Sequence, residues 1–196
     1  MTFRWTQKAM AELARDERTE LGLGLMDPLD PYKLAEAYGI QIYSISELAA
    51  NDCPAATIEH FRTNGSKRWS AALIAVGTGR IIIENDSHQV VRRRSSIAHE
   101  MSHHLLEHAF PEGLLGDDHA NLYSAKVEKQ ALYLSGQLLA PTEACNRLAF
   151  READNAAVAE LFNVSTQFAQ MQMKGSRSYA KRALAKQARE RQNGRY

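Results

Sequence analysis

His99-Glu100-Met101-Ser102-His103 sets two imidazoles four residues apart, with a carboxylate beside the first. On a helix, residues four apart lie one above the other, about 6 Å apart along the axis. Two imidazoles so placed can reach one zinc ion, and the adjoining Glu100 stands where the general base of a hydrolytic centre is needed. Advancing about 100° per residue, Val90, Val91, Ile97, Ala98, Met101, Leu105 and Leu106 share one arc. His99, Glu100, His103 and Glu107 share the other. The first arc predicts burial against a core, the second a cleft lined by metal chemistry. A helix over 88–108 is expected, with Asn85, Asp86 or Ser87 as its N-cap. His104 and His108 are also four apart, but no glutamate follows His104, and His108 reads as a helix-end or satisfied core histidine. The longer metzincin pattern requires glycine and histidine where this chain has Leu106 and Ala109, so that class is excluded.

Zinc bound by His99 and His103 needs a third protein donor and an open position for water. The next helical segment, 122–139, offers Glu128. The same phase places it in the middle of an apolar face with Val127, Ala131, Leu134 and Leu138, opposite Lys126, Gln130, Tyr133 and Gln137. A buried, unpaired carboxylate there would cost several kcal/mol, and a cation removes that cost. The competing reading pairs Glu128 with Arg92, Arg93 or Arg94. Asp117, Asp118 and His119 are alternative ligands from the loop 110–121. The expected reaction is hydrolysis with Glu100 as base, and Tyr123, Tyr133 and His104 are candidates to face the oxyanion.

The elements that must position these groups follow from periodicity and punctuation. A helix is expected over 5–21, broken by Gly22 and Gly24, and a short one over 31–38, capped by Asp30 and stopped by Gly39. Strands are expected over 40–45, 70–76 and 80–84, the last two joined as a hairpin through Gly77-Thr78-Gly79. Helices then run to the C-terminus. The order predicts an α+β fold with a small antiparallel or mixed sheet beside the histidine helix. Residues 157–174 have a helix-turn-helix outline, with a helix ending near Phe162-Asn163 and Ser165 capping the next. The expected second helix, 166–173, holds no Lys or Arg for phosphates, which favours two packed core helices.

Hydrophobic content of 44% and charged content of 24% place the chain among ordinary globular proteins. No apolar run approaches a membrane span and the N-terminus has no signal-peptide core, so a cytoplasmic protein without membrane partners is expected. Cys53 and Cys145 match no metal pattern and read as free thiols. The net charge of +1 conceals an asymmetry: residues 174–196 carry eight Lys/Arg and one acid, Glu190. Such a tail either contacts DNA, RNA or an acidic partner, or forms a solvated helix.

Two stretches carry a family resemblance: RRRSSIAHEMSHHLLEH from Arg92 to His108, and EKQALYLSGQLLAP from Glu128 to Pro141. They resemble the ImmA/IrrE metallo-endopeptidases. The resemblance implies a zincin-like peptidase core over 1–150, with a helical C-terminal extension over 151–196. It also implies zinc held by His99, His103 and Glu128, with Glu100 as the catalytic base. The substrate it implies is a specific protein, commonly a helix-turn-helix repressor or antitoxin of the XRE type, whose cleavage relieves repression in stress, mobile-element or defence responses. Ser95, Ser102 and Leu132 depart from the residues usual in that family, and Leu132 removes a polar residue one turn beyond the expected ligand. A different class of function remains alongside: a DNA-associated regulator or toxin-like binding protein in which zinc is structural.

Overall fold

The computed structural model describes residues 5–109 and 124–193. Helix α1 (Gln7–Glu20) starts on Thr6, whose hydroxyl accepts from the Ala9 amide, and stops at Gly22, whose φ of +73° suits glycine. Helix α2 (Pro31–Ala37) has the expected Asp30 cap and leading proline. Strand β1 (Gln41–Ser44) leads into a 3₁₀ turn (Ile45–Asn51) closed by a reciprocal Ser44–Glu47 capping box, then helix α3 (Ala55–Arg62). The sequence pattern gave no sign of these last two elements, which are short and bury only Ile45 and Ile58. Strands β2 (Ala71–Val76) and β3 (Gly79–Glu84) form the expected hairpin.

The sheet is mixed, in the order β1-β3-β2. β1 runs parallel to β3 with Ile42 opposite Ile82, and β2 is antiparallel to it with Leu73 opposite Ile82. β2 is therefore an edge strand. Helix α4 (Val90–Leu105) packs against β2, β3 and α2 and also against α5 (Ala125–Leu139), on which α1 lies. Helices α6 (Thr142–Phe150), α7 (Asn155–Phe162) and α8 (Thr166–Asn193) complete the order, with α8 against α6 and α7.

The expected apolar arc of α4 holds for Ile97, Ala98, Met101 and Leu106, all buried, but Val90 is exposed at the first turn. The N-cap expectation is corrected: Gln89 precedes α4 without a side-chain cap bond. Asn85 is spent on a turn instead. Its Oδ1 accepts from the Ser87 amide and hydroxyl, while its Nδ2 donates to the Phe61 and Trp69 carbonyls. The separate short helix and tail expected after Ser165 are one continuous helix of 28 residues. Its first half packs, burying Ala169, Met173 and Ala180 in the same apolar cluster as Ile97 and Leu138. Residues 184–192 are exposed on every face.

Two buried arginines tie these layers together. Arg18 on α1 donates to the Leu138 carbonyl at the end of α5 (2.7 Å) and to Gly24 and Asp27 (2.7 and 2.5 Å). Arg94 on α4 donates to Leu29 (2.6 Å) and to Asn163 (3.0 Å), between α7 and α8. Carbonyls buried at such junctions would otherwise lack donors. Among the described residues no helix is long and apolar enough to cross a membrane.

Candidate metal centre

α4 brings His99 and His103 to the surface it shares with α5, and the first turn of α5 brings Glu128 to meet them. His99 Nε2 lies 3.2 Å from His103 Nε2 and 3.2 Å from Glu128 Oε2, and His103 Nε2 lies 3.6 Å from Glu128 Oε1. Small residues permit the approach: Ala98, Ala131 and Ser135 are buried along the two helices. The side chain of His103 is 2% exposed, whereas Glu128 is 35% exposed and rims the site. Glu128 therefore does not occupy the middle of a buried face as its helical phase suggested. Leu132, whose helical phase also falls at the edge of that face, is exposed, and Gln137, assigned to the polar face, is buried with its amide bonded to Thr142.

Two imidazole nitrogens face the two oxygens of one carboxylate, and one ligand atom from each of the three residues lies within 4.8 Å of the others. Such lone pairs repel one another unless a cation or proton lies among them. A tetrahedral zinc ion with bonds of about 2.0–2.1 Å holds neighbouring donors about 3.3 Å apart. The two 3.2 Å separations from His99 Nε2 are close to that spacing, and two imidazoles with one carboxylate are a donor set suited to zinc. His99, His103 and Glu128 thus fit a divalent metal.

The protons distribute to suit. Burial, reinforced by the neighbouring His99, drives the His103 imidazole far below its ordinary range, leaving it neutral. Burial also opposes charge on His99, but its bond to Glu128 and the two nearby carboxylates together raise it. The same bond to His99 lowers Glu128. Each of His99 and Glu128 thus favours the charged form of the other, and a metal bound there would compete with the proton for the same atoms.

Glu100 points from the same turn toward the sheet, and its Oε2 accepts from the Leu73 amide of β2 at 3.0 Å. Burial pushes its carboxyl up to about 7, with His99 and the Leu73 bond pulling the other way. A carboxylate poised there can take and release a proton near neutral pH.

The arginines proposed as partners for Glu128 are engaged elsewhere: Arg92 donates to Ser70, Arg93 pairs with Glu84, and Arg94 lies 3.6 Å from Asp30. Tyr133 lines a recess with Trp5, Gln7 and Met10 against α1. His104 contacts Arg80 and meets the Tyr38 ring edge-on. Neither contact involves the three converging donors. Asp117, Asp118, His119 and Tyr123 lie outside the described residues. Sequence reasoning missed Leu73, whose backbone meets Glu100, because a main-chain contact across a sheet edge leaves no residue-type signal. It also missed Gln130, which contacts His108.

A helix-borne histidine pair, a carboxylate from the following helix and a second carboxylate under a sheet edge define a metallopeptidase type of site. The M78 peptidase family (IrrE N-terminal-like domain) matches residues 35–174, and the chain belongs to that family of metallopeptidases. No curated protein matches it.

Proposed function

We propose that the protein is a zinc-dependent endopeptidase in which His99, His103 and Glu128 hold the metal and Glu100 is the general base. Zinc bound there supplies Lewis acidity, acidifying water and polarising a carbonyl. Glu100 accepts the proton of the attacking water and delivers it to the departing amine. Its bond to Leu73 keeps the carboxylate beside the edge strand β2, along which an extended peptide can pair by strand addition. The observation that carries the reading is the convergence of His99, His103 and Glu128, with His99 Nε2 3.2 Å from both His103 Nε2 and Glu128 Oε2, and Glu100 in the adjoining position.

The substrate is a specific protein, a helix-turn-helix regulator or antitoxin of the XRE type, cut in the cytoplasm to relieve repression; membership of the M78 family and the resemblance of both motifs support this. Incubating purified protein and such a regulator with zinc tests it. Glu100→Gln should lower cleavage by about 10²–10⁴-fold while retaining full zinc stoichiometry. Glu128→Ala should lose the metal. Unchanged cleavage by Glu100→Gln would end the assignment.

One observation favours a second reading, a DNA-associated regulator with structural zinc. The distal part of α8 is exposed and carries Lys181, Arg182, Lys186, Arg189 and Arg191 against Glu190. Salt-dependent DNA binding that disappears with those charges, without any proteolysis, would support it.

A further inference from the structure

The helix bearing the two histidines ends in a way that bears on the metal centre. Glu107 adopts φ +52°, the left-handed region, although it is not glycine. The Glu107 amide donates to the His104 carbonyl (3.0 Å) and the His108 amide to the His103 carbonyl (3.1 Å), the paired bonds of a Schellman stop. Such a stop turns the second residue past the cap back onto the residue three from the helix end, a contact that is ordinarily apolar. Here those residues are His108 and His103. Their rings meet edge-on with centroids 5.0 Å apart, and their Nδ1 atoms are 3.1 Å apart. On its other side His108 Nε2 lies 3.3 Å from Gln130 Oε1 on α5. The Gln130 amide nitrogen donates to the Trp5 carbonyl (3.5 Å), and the Trp5 indole donates to the Leu106 carbonyl beside the same stop (3.0 Å).

The direction of each bond follows from the end of the chain. A backbone carbonyl only accepts, so the Gln130 nitrogen faces Trp5 and its oxygen faces His108. That oxygen accepts, so His108 carries its proton on Nε2 and offers the Nδ1 lone pair. His103 then carries its proton on Nδ1. Resting on the metal-centre reading above, we infer that His108, oriented by Gln130, is a positioning residue that fixes the Nδ1–H tautomer of His103 and so aims its Nε2 lone pair toward His99 and Glu128. This accounts for a histidine that is neither one of the three donors nor a member of the apolar core. Partners in this position commonly govern metal affinity.

Two measurements test the inference. In the metal-free wild-type protein, two-bond ¹H–¹⁵N spectra should show His103 protonated at Nδ1 and bare at Nε2. In a zinc competition titration with a chromogenic chelator, His108→Leu should bind about 10- to 100-fold more weakly. His108→Asn, whose Oδ1 can stand in for the Nδ1 acceptor, should recover most of the loss. His103 protonated at Nε2, or zinc held by His108→Leu as tightly as by wild type, would overturn the inference. If His108→Leu fails to fold by circular dichroism, the wild-type spectrum decides alone. A wild-type protein that binds no zinc would instead remove the metal-centre reading, and the tautomer of the metal-free protein would still decide the role of His108.

Discussion

Glu17, on α1, is 6% exposed, and the Tyr38 hydroxyl donates to its Oε1 at 2.6 Å. Burial raises its carboxyl above the ordinary 4.5, outweighing the lowering by the Tyr38 bond, with Glu20 and Asp16 adding to the rise. A group whose folded pKa is raised stabilises the fold when protonated; that contribution is complete below 4.5 and lost as pH climbs through the folded value. Glu17→Gln keeps an acceptor for Tyr38 and removes the charge. Its urea midpoint should exceed that of wild type at pH 7, and the gap should close toward pH 4; a variant less stable than wild type at pH 7 would contradict the assignment. The same physics acts at Glu100, where burial lifts a carboxyl toward neutrality. On the proposed reading that shift serves proton transfer at Glu100, whereas at Glu17 it is only a cost.

Helix ends position His103, Glu128 and His108, while His99 and Glu100 stand within α4. Residues in the left-handed region follow α1, α2, α4, α6 and α7: Gly22, Gly39, Glu107, Glu152 and Asn163. The glycines and Asn163 were readable as stops because those residue types tolerate that conformation. Glu107 and Glu152 were not, since neither carries such a signal. A non-glycine there costs about 1–2 kcal/mol, partly balanced by the greater chain entropy glycine would lose. Glu107→Gly should accordingly raise stability by about 0.5–1 kcal/mol in denaturant titration, with zinc affinity unchanged because the turn that delivers His108 is retained. A destabilised variant would show that the Glu107 side chain itself holds the turn. The histidine helix was legible from period alone, but its start was not: Asn85 is a strong capping residue that the loop around Phe61 and Trp69 claims instead.

For the molecule as a whole, Arg94 joins three layers that are remote in sequence. It reaches Leu29 ahead of α2, Asp30 at its cap, and Asn163 before α8. Arg94→Leu would leave two carbonyls without their donor, at about 1–3 kcal/mol each. A loss of about 2–5 kcal/mol in guanidinium unfolding is expected, and Arg94→Lys should recover little because an ammonium cannot span the same carbonyl directions. Near-wild-type stability of Arg94→Leu would show that the junction is held by apolar packing alone. That packing is extensive: one cluster includes Met10, Ile82, Ile97, Leu138, Phe162 and Ala180.

Local rules were enough to set His99, Glu100 and His103 on adjacent turns of one helix, to find the hairpin, and to separate a basic end from an acidic body, because each depends on spacing or composition within a short stretch. Burial reasoning also singled out Glu128, though for a face it does not occupy: it stands at the rim, and the donors meet because α5 crosses α4 at that turn. Only the folded chain assigned Arg92, Arg93 and Arg94 to other partners, laid Leu73 against Glu100, and returned His108 to His103. Those contacts join residues whose relation is set by how separate elements cross, or by one backbone angle at a helix end, and neither is written in the periodicity of a single segment.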